Sequence, residues 1–264
     1  MRPRTHGLFC LLGLMLATAA WAEDPPPTVH GETRPSELVW SLGFRFKMDD
    51  ARQPGQLGLS PMIGMRYGRW RTGVVDGDSW HRFGQIKTDN TLTYDWLDSE
   101  DWRTSLSASI VNFQRDSTFD AFEPGRKTVR GKATIDYLGW SHWSVGLVVT
   151  QDLMGRGAGA SLSPSVTYRQ ALTDDSTILL SHSFTRAQSD LWRYKATDPS
   201  VNLQANSDWA TSTDTSLTLR QRWRPHWSWF AQVNRNQLLH AGDPTTHDGQ
   251  VRWSGQFGVV YFQH

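Results

Sequence analysis

The chain has 264 residues, a formal net charge of +1 at pH 7 and a single cysteine. These values exclude a disulfide-stapled domain and a thiolate metal site, and the near-neutral charge argues against a nucleic-acid-binding protein. The mean hydropathy is low at −0.52 although 14 residues are tryptophan. That combination is typical of an outer-membrane β-barrel, in which lipid-facing and lumen-facing side chains alternate.

The first 22 residues have the features of a secretory signal peptide. Arg2 and Arg4 form a basic start, and an apolar stretch runs from Leu8 to Ala19. A small-residue cleavage site of the A-x-A type ends at Ala22. The proline-containing segment that follows has no apolar pattern. We therefore predict a signal peptide at 1–22, a periplasmic tail at 23–36 and an outer-membrane barrel at 37–264.

Strict alternation of apolar and polar residues begins at residue 37. Leu38, Trp40 and Leu42 share one face and Ser41 and Arg45 the other, which indicates a strand with one apolar face. The same pattern recurs and predicts twelve strands, at 37–47, 57–67, 69–75, 89–96, 102–113, 127–138, 143–151, 160–169, 176–186, 214–223, 227–239 and 251–263. An even number suits a closed barrel, and ten strands remain if 69–75 and 89–96 are not strands.

The predicted connections alternate between short and long. The short ones, at 68, 97–101, 139–142, 170–175 and 224–226, are expected to be periplasmic turns, and the longer ones external loops. The sequence thus predicts an all-β fold, a closed antiparallel transmembrane barrel in which the last strand pairs with the first.

Strand parity also predicts which way each side chain points. The expected lipid-facing residues are Leu38, Leu42, Phe44, Ile63, Leu106, Ile135, Val145, Leu147, Val166, Leu217, Leu219 and Phe257. The expected lumen-facing residues are Ser41, Arg45, Arg66, Ser107, Thr134, Ser163, Arg220 and Gln256.

Aromatic residues flank the predicted periplasmic turns. An indole has an apolar body and one N–H donor, and it therefore settles at the level of the lipid headgroups. We predict a membrane girdle formed by Tyr67, Trp70, Trp96, Trp102, Trp140, Trp143, Trp223 and Trp227.

Basic residues are frequent at the predicted lumen-facing positions. A polar, charged lumen is the default for such barrels, and the alternative is a focused positive potential that attracts anionic solutes or an anionic partner. Six arginines near the periplasmic turns are candidates for a ring that binds carboxylates or phosphates: Arg66, Arg69, Arg71, Arg103, Arg169 and Arg222. Pairing with acids of the same turns is the competing explanation, and these acids are Asp98, Glu100, Asp101, Asp136, Asp174 and Asp175.

Enzymatic sites are weakly indicated, and we expect no catalysis, metal or cofactor. His142 and Ser144 have the spacing of a barrel phospholipase but lie in a predicted periplasmic turn. An omptin-like rim protease would use Asp49 and Asp50 opposite His247 and Asp248. Acidic residues and histidines are common in external loops, where they are usually only solvated. The remaining histidines, among them His182, His226, His240 and His264, lack metal-ligand spacing.

Several motifs resemble those of the MipA/OmpV family of outer-membrane proteins (proteins like the MltA-interacting protein). They are Leu59-Ser60-Pro61 leading to Tyr67-Gly68, Asp152 followed by Gly155, Gly157 and Gly159, the strand from Ser163 to Tyr168, Trp227 at the start of a strand, Leu238-Leu239 before Asp243-Pro244, and Gly258 before Tyr261. The chain departs from the pattern at Trp192-Arg193-Tyr194 and at its terminal His264, where barrels commonly end in phenylalanine.

The resemblance implies a non-enzymatic protein of the outer membrane that links a lytic transglycosylase to a penicillin-binding protein during cell-wall growth. A small-solute channel with a basic lumen is the alternative, and a rim protease is the third. The contacts expected from the sequence are outer-membrane lipid and these cell-wall enzymes, without nucleic acid. The sequence does not determine the oligomeric state.

Overall fold

In the computed structural model, the described residues are 38–48, 57–74, 91–112, 127–154, 159–188, 209–240 and 251–263. They lie within the unit Arg34–His264. The expected signal peptide and tail lie outside the described residues. In the described ranges, no helix has the length and hydropathy needed to span a membrane.

Twelve antiparallel strands form the structure, as predicted. They are β1 (Leu38–Met48), β2 (Leu57–Tyr67), β3 (Trp70–Thr72), β4 (Leu92–Asp98), β5 (Trp102–Asn112), β6 (Lys127–Tyr137), β7 (Trp143–Asp152), β8 (Ala160–Thr173), β9 (Ser176–Gln188), β10 (Trp209–Arg224), β11 (Trp227–His240) and β12 (Val251–Phe262).

The sheet closes into a barrel in which each strand pairs with its neighbours in the chain and β1 pairs with β12. The closing ladder runs from Ser41 opposite Phe262 to Met48 opposite Gly255, which confirms the predicted pairing of the first and last strands. Closure removes the free sheet edges. All backbone N–H and C=O groups of the strands can then pair within the sheet, as a bilayer without hydrogen-bonding water requires.

Four strands differ from the prediction by three or more residues at one end, and one of them is β3, which ends at Thr72 instead of residue 75. Strand β4 is displaced and begins at Leu92, while β8 continues to Thr173 across a register shift that disrupts the alternation of its last residues. Strand β10 begins at Trp209, and this start was not predicted because Thr211, Ser212 and Thr213 place hydroxylic side chains on both faces and give no apolar alternation.

The predicted faces are confirmed. Leu42 and Ile63 on the outer surface are 53% and 55% exposed, whereas Ser41 and Arg220 on the inner face are 2% and 0% exposed. The other predicted outward residues have the same strand parity, and none of the predicted inward residues is exposed. The result is a barrel of outer-membrane type, with a largely apolar exterior and a largely polar interior.

Short turns join the strands at the end that we call periplasmic, as the sequence predicts. Gly68 between β2 and β3 has a φ of 55°, a left-handed conformation that glycine adopts without steric cost. The turns between β8 and β9, at 174–175, and between β10 and β11, at 225–226, contain two residues each. Most residues of the longer connections lie outside the described ranges.

All eight predicted girdle residues are exposed at the periplasmic end. The register also places a tyrosine directly opposite four of the tryptophans, which the sequence analysis did not predict. The ring centroids are 4.9 Å apart for Trp70 and Tyr94, 4.8 Å for Trp102 and Tyr137, 4.9 Å for Trp143 and Tyr168, and 5.3 Å for Trp227 and Tyr261. These cross-strand pairs keep the aromatic belt at a fixed height on the barrel wall.

Candidate functional site

The lumen contains the largest concentration of charge in the described structure. Strand parity directs eleven basic side chains inward, and all of them except the exposed Arg252 are buried or half-buried: Arg45, Lys47, Arg66, Arg71, Arg103, Arg130, Lys132, Arg169, Arg220, Arg222 and Arg252. The inward carboxylates are fewer, namely Asp95, Asp98, Asp136, Asp152 and Asp214. Because cations outnumber carboxylates among these inward residues, the described lumen carries an excess of positive charge.

Three of the predicted arginines converge on one carboxylate at the periplasmic end. Asp95 of β4 accepts from Arg66 Nη2 at 2.7 Å, from Arg71 Nε at 2.9 Å and from Arg103 Nη2 at 3.2 Å. The strands β2, β3, β4 and β5 are consecutive in the wall, and this adjacency brings the four side chains together. The Asp95 side chain is only 3% exposed, so this charge cluster is largely shielded from water.

The other three predicted arginines lie elsewhere. Arg169 Nη2 donates to the backbone carbonyl of Ser141 at 3.1 Å, and Arg222 Nε lies 3.4 Å from Asp175 Oδ1. Arg69 is exposed in its turn and donates to the backbone carbonyl of Trp96 at 3.3 Å. The structure therefore gathers half of the predicted ring around Asp95. Binding of a partner by the six arginines stays a prediction.

Four apolar side chains pack together inside the barrel near its periplasmic end. Met62, Phe230, Val260 and Phe262 are buried on the inner faces of β2, β11 and β12, and Val74 packs against them. We call these five residues the luminal constriction. Apolar side chains that project into the lumen of a twelve-stranded barrel reduce the width that stays open to solutes.

Val74 reaches the lumen because the chain leaves the wall directly after the short strand β3. The ladder with β2 ends at Met65 opposite Thr72. Gly73 then turns with a φ of 67°, and the hydroxyl of Ser41 donates to the carbonyl of Val74. A side chain at Gly64 would collide with that same carbonyl. The segment is thus anchored on the inner surface of β1 and β2.

The enzymatic candidates gain no support from the described residues. His142 Nδ1 lies 3.1 Å from the backbone carbonyl oxygen of Arg169, in the periplasmic turn where the sequence places it. In the described residues, no group of three or more histidine, cysteine, aspartate or glutamate side chains could hold a metal ion. The predicted rim residues Asp49, Asp50, His247 and Asp248 lie outside the described residues.

No family model and no curated protein sequence matches the chain. Among solved structures, the chain is similar to the KdgM porin, with 12% identity over 85% of this chain and 99% of that one and a TM-score of 0.44. A NanC porin has 14% identity over 85% and 99%, with a TM-score of 0.39. The CymD monoaromatic hydrocarbon channel has 9% identity over 86% and 88%, with a TM-score of 0.40. At such identities these similarities concern only the fold, a closed β-barrel of outer-membrane type.

Proposed function

We propose that the protein is an outer-membrane channel for small anionic solutes. The observation that supports this function is the excess of inward-facing cations over inward-facing carboxylates on the described strands. The apolar exterior places the barrel wall in the bilayer, so the polar lumen is the route by which a hydrophilic solute would cross.

The low dielectric of the membrane strengthens the effect of these charges. A lumen lined by one sign of charge and surrounded by lipid focuses its potential along the axis and raises the local concentration of counter-ions. Arginine presents a planar fork of donors that fits carboxylates and phosphates. The luminal constriction adds a limit on size, and the expected solutes are therefore small carboxylated or phosphorylated molecules.

Ion selectivity in planar lipid bilayers tests this function. In a KCl gradient, the wild-type channel is expected to give a reversal potential that favours chloride. The double substitution Lys132→Gln and Arg252→Gln removes two luminal cations and is expected to shift that potential towards potassium.

The matched control is Arg235→Gln, because Arg235 carries the same charge on the outer face of the wall. That substitution is expected to leave the reversal potential unchanged. Absence of conductance in the wild-type protein, or equal selectivity in both variants, would contradict the channel function.

A second candidate function is a scaffold for a lytic transglycosylase and a penicillin-binding protein, which the resemblance to the MipA/OmpV family implies. Exposed cations at the periplasmic rim favour it, because Arg69 and Arg224 stand at two of the turns that a periplasmic enzyme would meet. Replacing both by glutamate is expected to weaken retention of these enzymes in a pull-down, and salt should weaken retention by the wild-type protein. Retention that responds to neither change would argue against this rim as the docking surface.

A further inference from the structure

The outer surface of the barrel is apolar except in one region. Beyond the aromatic girdle, the outward-facing titratable side chains that the structure describes on the strands are His182 and Arg186 of β9 and Arg235 of β11. Neutral polar residues lie between them, namely Thr213 and Thr215 of β10 and Gln237 of β11. We call these six residues the outward cationic patch.

The register joins most of the patch into one surface, and the exposed Phe184 lies between His182 and Arg186 on β9. Thr215 lies opposite His182 on one side and opposite Arg235 on the other, and Thr213 lies opposite Gln237. The Thr215 hydroxyl is 2.9 Å from His182 Nδ1. The patch lies in the half of the strands nearest the external loops, because β9 ends at Gln188 and β10 begins at Trp209.

Both guanidinium groups are held in place by neutral neighbours in the described structure. Arg235 Nη2 donates to Gln237 Oε1 at 2.9 Å, and Arg186 lies over the Trp209 ring with its Cζ 5.0 Å from the centroid. A neutral amide and an indole orient a guanidinium without neutralising it.

The described part of the outer surface supplies no carboxylate to the patch. Asp214 interacts electrostatically with His182, but its strand parity directs it into the lumen. Arginine on the lipid-facing side of a barrel is unfavourable unless an anion accompanies it. Among the described residues the patch lacks a counter-charge, and an anion at the depth of the external leaflet would supply one.

We propose that the outward cationic patch binds the phosphate groups of a phosphorylated glycolipid in the outer leaflet of the membrane. Oriented guanidinium groups form charge-assisted hydrogen bonds with phosphate oxygens, and the threonine hydroxyls and the imidazole add further donors. A second copy of the chain fits less well, because a two-fold contact between identical patches would place like charges against each other. This inference does not depend on the proposed channel function.

Binding of bisphosphorylated lipid A to the purified, folded protein in neutral detergent tests the proposal. The double substitution Arg186→Gln and Arg235→Gln is expected to weaken binding by about tenfold or more, since two charge-assisted contacts are lost. The control Arg252→Gln removes a luminal cation and is expected to leave lipid A affinity unchanged. A lipid A analogue without phosphates should bind the wild-type protein as weakly as the double variant binds lipid A.

Four results would overturn the proposal. The first is equal affinity of wild-type and doubly substituted protein for lipid A, and the second is full retention of the phosphate-free analogue. The third is competition by inorganic phosphate at concentrations similar to lipid A, which would indicate a general anion site. The fourth is a wild-type dimer in sedimentation that the double substitution converts to monomer, which would identify an interface between copies. An unchanged thermal unfolding temperature shows that the double variant is folded. The channel function is tested independently, by the ion selectivity of the variant with substitutions at Lys132 and Arg252.

Discussion

Replacement of Asp95 by alanine is expected to destabilise the barrel by about 3–5 kcal/mol, the usual loss when one partner of a buried ion pair is removed. Asp95 accepts hydrogen bonds from Arg66, Arg71 and Arg103 while its side chain is only 3% exposed. Without this carboxylate, three like charges remain close together in a poorly solvated part of the lumen. Their mutual repulsion adds to the desolvation of each guanidinium group.

Urea unfolding of the protein in lipid vesicles, followed by tryptophan fluorescence, measures this effect. Asp98→Ala is the matched control, because Asp98 lies 4.0 Å from Arg66 Nη2 and its side chain is 21% exposed. That substitution is expected to cost less than about 1 kcal/mol, because the ion pair is long and the carboxylate is partly solvated. A loss below that value for Asp95→Ala would show that water or ions solvate the three arginines.

Added phosphate provides a second measurement on the same variant. An anion that binds the folded state alone stabilises it in proportion to the logarithm of its concentration. Phosphate is therefore expected to restore part of the stability of Asp95→Ala, because the three guanidinium groups then form an unoccupied anion site. The wild-type protein should respond much less, since Asp95 already fills that position. An equal response of both proteins would place the phosphate effect elsewhere.

The barrel could be predicted from the sequence because alternation is a local signal that repeats in every strand. The exposed Leu42 and the buried Ser41 are neighbours in the chain, and parity assigns both at once. Closure of the barrel could be predicted because the number of strands is even and because short and long connections alternate. The boundaries of β8 and β10 were missed where a register shift or hydroxylic residues on both faces interrupted that signal.

The charge cluster was only half predicted, because parity gives the face of a side chain but not its partner. Asp95 lies between the outward-facing aromatics Tyr94 and Trp96, so the sequence already directs it inward. Its convergence with three arginines depends on the cross-strand register of β2 to β5, which one sequence does not contain. The same limit applies to the four tyrosines of the girdle. Each lies opposite its tryptophan only in the paired sheet.

Strand parity places the four strand residues of the luminal constriction inward, but the packing of Val74 against them left no signal in the sequence. It depends on a positive φ at Gly73, on the missing side chain of Gly64 and on a hydrogen bond between residues 33 positions apart, Ser41 and Val74. The last two depend on contacts between separate segments of the chain. The resemblance to the MipA/OmpV family does not supply them either, and that family assignment stays a prediction.

Replacement of Phe230 by alanine is expected to raise the single-channel conductance by a factor of about two or more, because a hydrophobic constriction excludes water and ions. Phe230 is fully buried inside the barrel, where it belongs to the luminal constriction. Its ring covers Gly258 of the neighbouring strand, at which a Cβ atom would lie 2.6 Å from Phe230 Cζ. Truncation therefore removes a ring that spans the inner surface between β11 and β12.

Phe257→Ala is the matched control for this experiment. Phe257 precedes Gly258 on β12, but its side chain points outward and is 44% exposed. Its removal deletes the same number of atoms from the lipid-facing surface and is expected to leave the conductance unchanged.

Phe230→Ala should also lower stability by about 3–5 kcal/mol if the cavity stays dry, and by less if water fills it. Higher conductance with a small loss of stability would identify the constriction as the barrier to ion flow. Unchanged conductance with a large loss of stability would show that Phe230 only packs the wall. Another part of the lumen would then limit the passage of ions.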